Sequence, residues 1–199
     1  SYIVDVLRGI VGFDNVTDAT RLLVHPGQGL RSICSPAEIA FFEYSNIKAS
    51  EAMKRIHFAL RCGMTDRELV EEARYDGTPL SCHLTLKTGP GRISLASPKG
   101  SRIEKGHTWS ANISFWGSNI CRAGWIAGEA EDLPPMARNY ISAFAGPYFE
   151  AMAEWFHHLW IGQQGGVLYR VIQERLPFDK FGIFLNPGHL IHLDEWLSS

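Results

Sequence analysis

A chain of 199 residues with 45% hydrophobic side chains can bury one sizeable core, and 19 basic against 21 acidic residues leave a net charge of -2. That balance carries no electrostatic footprint for nucleic acid or for an anionic membrane. No apolar run reaches the roughly 18 residues of a membrane span, and residues 1–30 lack the order of a signal peptide, so a soluble, cytoplasmic protein is expected. The four cysteines, Cys34, Cys62, Cys82 and Cys121, have neither CxxC spacing nor the density of a disulfide scaffold, and read as reduced, mostly buried thiols.

In chain order, residues 1–30 end in His25-Pro26-Gly27-Gln28-Gly29, a loop or linker, so that 1–33 reads as a linker or the tail of an N-terminal domain. Ser35-Pro36-Ala37-Glu38 combines an N-cap, a first-turn proline and a capping-box glutamate. A long helix is predicted to follow over 36–61, with Ile39, Phe42, Ile47, Met53, Ile56 and Leu60 near one face. Thr65-Asp66-Arg67-Glu68 repeats the capping pattern and opens a second helix, which Asp76-Gly77 should end. Alternation over 80–88 (Leu80, Cys82, Leu84, Leu86) and 108–116 (Trp109, Ala111, Ile113, Phe115) predicts strands, and Gly117-Ser118 predicts a hairpin into 120–126. A helix over 136–161 carries an aromatic stripe, including Tyr140, Phe144, Tyr148 and Trp155, whose spacing predicts a core face. A short helix over 167–176 and an alternating segment over 181–199, with His189 and His192, complete an α+β order. Neither GxGxxG nor a P-loop occurs, which leaves nucleotide chemistry without a foothold.

Several short phrases in this order resemble the catalytic domain of the pita-bread family, which includes aminopeptidase P, prolidase and creatinase. Cys34-Ser35-Pro36-Ala37-Glu38-Ile39 is similar to its K-S-P-x-E-I, and Gly63-Met64-Thr65-Asp66-Arg67-Glu68 to its P-G-x-T-E-x-E. Thr88-Gly89-Pro90-Gly91 stands for S-G-P-N, and Ile103-Glu104-Lys105-Gly106-His107 for L-x-x-G-D. Pro187-Gly188-His189 looks like the segment carrying the family's histidine ligand. The resemblance implies a curved antiparallel sheet covered by helices over 34–199, with the family's last strands missing, and a homodimer as the partner arrangement.

The same resemblance implies specific chemical departures. Metallopeptidases of this family hold Mn, Co, Zn or Fe dications with two aspartates, one histidine and two glutamates, a hard donor set that generates a hydroxide nucleophile. Aligning on Gly117 places Ser110 and Cys121 at the aspartate positions, and the substrate histidine falls at Leu95 or Ala96. No metal or other cofactor is therefore expected, the alternative being a divalent ion such as Mn or Zn if the hairpin is misaligned. Trp109-Ser110-Ala111-Asn112 is closer to creatinase, the metal-free branch, which splits a C–N bond. The implied pocket comprises His189 and Cys121 as catalytic candidates, with Ser110, Asn112 and His192 binding substrate; a buried, inert thiol is the competing reading of Cys121. Three functions stay open: a metal-independent, possible hydrolase of a small C–N or peptide-like substrate, a pseudoenzyme groove for a peptide or protein, and an Xaa-Pro metallopeptidase. Arg122 reads as a surface or interface charge on the sheet face opposite Cys121.

Overall fold

The two capping boxes form as their chemistry dictates. In the computed structural model, which describes residues 2–183, 187 and 188, helices α1 (Tyr2–Val11) and α2 (Thr20–Val24) come first, within the stretch read as a linker or domain tail. Ser35 then caps α3 (Pro36–Ala59), its hydroxyl accepting the Glu38 amide at 3.3 Å while the Glu38 carboxylate accepts the Ser35 amide at 2.6 Å. Thr65 and Glu68 do the same, at 3.2 and 2.7 Å, for α4 (Asp66–Glu71). Each such cap is worth about 1 kcal/mol. The second helix ends well before Asp76-Gly77.

The stripe predicted for α3 is only partly the buried one. Ile39 and Ile47 are 57% and 58% exposed, whereas Ser45, Ala49, Ala52, Met53 and Ile56 are buried. Small side chains at i, i+4 and i+7 let the helix axis lie close to the sheet, and a search for large apolar residues passes over them.

The sheet is antiparallel in the order β1 (Leu80–Gly89), β2 (Thr108–Phe115), β3 (Ile120–Trp125). Trp109, Ala111, Ile113 and Phe115 are buried in one cluster with Met53, Ile56 and Leu69, as the alternation of β2 predicts. The opposite parity, Ser110, Asn112 and Ser114, is buried too, so both faces of β2 are covered. In β1 the register shifts between Leu80 and Thr85, which breaks strict alternation and leaves Thr85 and Leu86 both buried. Asp66, 1% exposed, accepts the amides of Lys99, Gly100 and Ser101 at 3.1, 2.7 and 3.1 Å, tying the strap before β2 to α4.

The hairpin turns where its glycine predicts. Gly117 sits at φ +81°, and its carbonyl accepts from Asn46 Nδ2 at 3.1 Å. An added Cβ would meet the Phe42 ring at 2.6 Å. Gly117→Ala therefore combines a left-handed backbone cost with a clash on α3, and should lower unfolding free energy by about 2 kcal/mol, read as a drop in urea midpoint.

The single helix predicted over 136–161 is interrupted. A 3-10 turn at Pro135–Ala137 and a widened turn at Ile141–Ala145 precede α5 (Gly146–His158). Pro147 has no N–H for the regular ladder, and the Gly146 amide bonds five residues back to Ile141. Helices α6 (Gly165–Arg175) and α7 (Phe178–Phe181) follow, and Ala151, Ile172 and Leu176 form a second buried cluster that Met152, Trp155, Phe181 and Ile183 pack against.

Two further expectations are corrected. The stripe read as core is so only in part: Met152 and Trp155 pack against the second cluster, whereas Phe144 and Tyr148 are each 38% exposed and Met136 is 90% exposed. All four cysteines are thiols, but Cys62 and Cys121 are exposed and Cys34 and Cys82 half-buried. Cys121 is exposed because β3 is the last strand in the described sheet. Among the described residues no helix is long and apolar enough to cross a membrane.

Candidate active-site groove

A groove of about 800 Å³ lies between the hairpin and the aromatic residues of the widened turn and α5. Its floor follows from strand parity. Ser110 pairs with Ala123 and Asn112 with Cys121, so these four side chains share a face, and Ser110 and Cys121 are diagonal neighbours. Ser110 and Cys121 both line the groove. The Ser110 hydroxyl donates to the Ser94 carbonyl at 2.9 Å. The Cys121 thiol donates to Asn112 Oδ1 at 2.8 Å, and Asn112, 2% exposed, lies beneath the floor as the support of Cys121.

Of the two candidate positions for the family's substrate histidine, Leu95 lines the groove and is 65% exposed. The carbonyl of half-buried Ala96 instead accepts the Leu86 amide at 3.0 Å. His189 and His192, with Asp194 and Glu195, lie outside the described residues.

The wall is the feature that sequence reasoning misplaced. Tyr140, Phe144 and Tyr148 stack in a ladder with ring centroids 5.4 and 6.1 Å apart and ring planes within 18° and 5° of parallel. Their spacing was visible in the sequence; that the exposed side of the stripe faces the hairpin was not. Burial, followed by the neighbouring Tyr148 phenol, pushes the pKa of the Tyr140 phenol up. A cleft of about 420 Å³ carries the groove on past Ala123 and Tyr140 to Trp125 and Met136.

Arg122 also lines the groove, although its Cα belongs to the opposite parity. Its guanidinium donates to the Cys121 carbonyl at 2.6 Å. A separate polar cleft of about 530 Å³ beside Arg61, Cys62 and Glu68 holds none of the predicted site residues.

The donors present do not suit a hard dication. Ser110 and Cys121 bring a hydroxyl and a thiol to the floor rather than carboxylates, and both donate to neighbouring oxygens. Among the described residues no three His, Cys, Asp or Glu side chains gather into a metal-binding group.

No family profile and no curated protein matches this sequence. Solved structures do match in fold. The prolidase from Pyrococcus horikoshii OT3 is similar at 17% identity and a TM-score of 0.67, over 83% of this chain and 49% of that one. The Xaa-Pro dipeptidase from Bacillus anthracis is 16% identical with a TM-score of 0.65, over 97% of this chain and 62% of that one. The X-Pro aminopeptidase from Thermotoga maritima MSB8 is 17% identical with a TM-score of 0.56, over 77% and 44%. The chain has the pita-bread fold that these proteins share, and spans between 44% and 62% of their length.

Proposed function

We propose that this is a creatinase- and aminopeptidase P-like protein that binds a small, peptide-like ligand in the hairpin groove without a metal ion. The carrying observation is the floor: Ser110 and Cys121 present a hydrogen-bonded hydroxyl and thiol under an apolar aromatic wall. A mostly apolar cleft with a few polar groups on its floor is the usual form of a small-molecule site. The Ser110 oxygen has lone pairs left to accept an amide N–H, and the Tyr140 phenol can donate to an amide carbonyl. Binding of this kind needs no dication.

The exposed Cys121 thiol favours a second, enzymatic reading in which it attacks a C–N carbonyl, with His189 as base. The S–C bond would form as the C–N bond breaks, the proton taken from sulfur going to the leaving amine, and water would then hydrolyse the thioester to free the acid and the thiol.

Calorimetry with N-benzoyl-phenylalanine in excess EDTA tests the first reading. Micromolar to low-millimolar binding is expected, unchanged by the chelator, with alkylation of Cys121 by iodoacetamide slowed at least fivefold in the complex. A requirement for added Mn or Zn would overturn it and restore the metallopeptidase alternative. Release of benzoate or phenylalanine that is lost in Cys121→Ser would establish the enzymatic reading.

A further inference from the structure

We propose that the groove selects the charge pattern of its ligand, taking N-blocked amino acids that keep a free carboxylate and excluding those with a free amine. The inference rests on the binding function proposed for the same groove, and it comes from the charges around that groove.

Arg122 is the one ionic side chain among the described lining residues that is charged at neutral pH. Its guanidinium has no carboxylate within ion-pair distance among the described residues, and it donates a hydrogen bond to the Cys121 carbonyl. A planar guanidinium held at one nitrogen by a backbone oxygen keeps its other N–H groups for a carboxylate. Its position next to an apolar wall matters as well, because partial exclusion of water strengthens a charge-assisted hydrogen bond relative to bulk solvent.

The complementary argument concerns the amine. No Asp or Glu lines this groove among the described residues. A free α-ammonium would be taken from water into a site that offers it aromatic faces and a cation, with no anion to offset its desolvation. An acyl group on that nitrogen removes the charge and adds apolar surface for Phe144 and Tyr148 to cover. The geometry thus points to an apolar body along the Tyr140, Phe144 and Tyr148 ladder, an amide over the Ser110 floor, and a carboxylate at Arg122.

Three probes of nearly equal size separate these claims: N-benzoyl-phenylalanine, its C-terminal amide N-benzoyl-phenylalaninamide, and the zwitterionic dipeptide phenylalanyl-phenylalanine. Calorimetry on the protein should place the acid about tenfold tighter than the amide, with the dipeptide weakest. In Arg122→Gln the acid should fall to the level of the amide while the amide is unchanged; Arg122→Lys should recover part of the difference, keeping charge but losing the fork. Raising salt from 50 mM to 1 M should weaken the acid and leave the amide alone.

Equal affinity for acid and amide in the unmodified protein overturns the inference and leaves the groove reading standing. So does a dipeptide that binds as well as the blocked acid. Failure of all three probes to bind removes the groove reading together with it. The comparison of acid with amide on the unmodified protein decides the matter even if an Arg122 variant folds poorly.

Discussion

Asp66→Ala should cost about 4 kcal/mol of unfolding free energy, because it strips one carboxylate from three backbone donors at once. Lys99, Gly100 and Ser101 each donate an amide to Asp66, and the Asp66 amide in turn donates to the Ser101 carbonyl at 2.9 Å. A methyl group leaves those three amides short of acceptors beside a side chain that is 1% exposed. Asp66→Asn separates charge from geometry. Its carbonyl oxygen can keep the Gly100 and Ser101 amides, but its NH₂ then faces the Lys99 amide, donor against donor, and about half of the loss should remain. Urea unfolding of the two variants checks the order. A loss below 1 kcal/mol in the alanine variant would mean that the strap holds by other contacts.

Leu86→Ala is the second large effect, at about 3 kcal/mol, and its origin is different. Leu86 is fully buried at the middle of β1, in register with Ala111, among Ile103, Leu69 and Ile113. Truncation removes buried methyl groups and leaves a cavity opposite a residue too small to fill it. Its backbone amide would still bond to Ala96. The strand should therefore stay in place, with an unchanged dependence of free energy on urea and a lower midpoint. Leu86→Met, close in volume, should lose less than about 1.5 kcal/mol, which distinguishes a packing loss from damage to the sheet.

What could be read from the sequence was local. The caps at Ser35 and Thr65, the turn at Gly117 and the alternation of β2 depend on neighbours a few residues away, and all appear where expected. Asp66 was legible only as part of a capping phrase, since its bonds to Lys99, Gly100 and Ser101 close a long loop. The aromatic residues after Pro135 announced a common face without saying what would lie across from it. That Ser110 and Cys121 share a sheet face followed from hairpin parity once Gly117 fixed the turn, whereas exposure of Cys121 depends on what lies beyond β3. Arg122 was assigned by parity to the far face; a long side chain at a strand edge need not stay on the face from which it starts.

The widened turn ahead of α5 has a consequence for ring alignment. In a regular α-helix, side chains four apart are offset by about 40° around the axis, so a row of three fans out. A turn closed between Ile141 and Gly146 holds roughly one extra residue and rotates the next step back. Tyr140, Phe144 and Tyr148 straddle one such turn and one regular turn, and their planes stay nearly parallel. Pro147, by withholding one amide, thus acts as a spacer that straightens a column of rings, and the aperture of the cleft beside it is set by a defect in a helix.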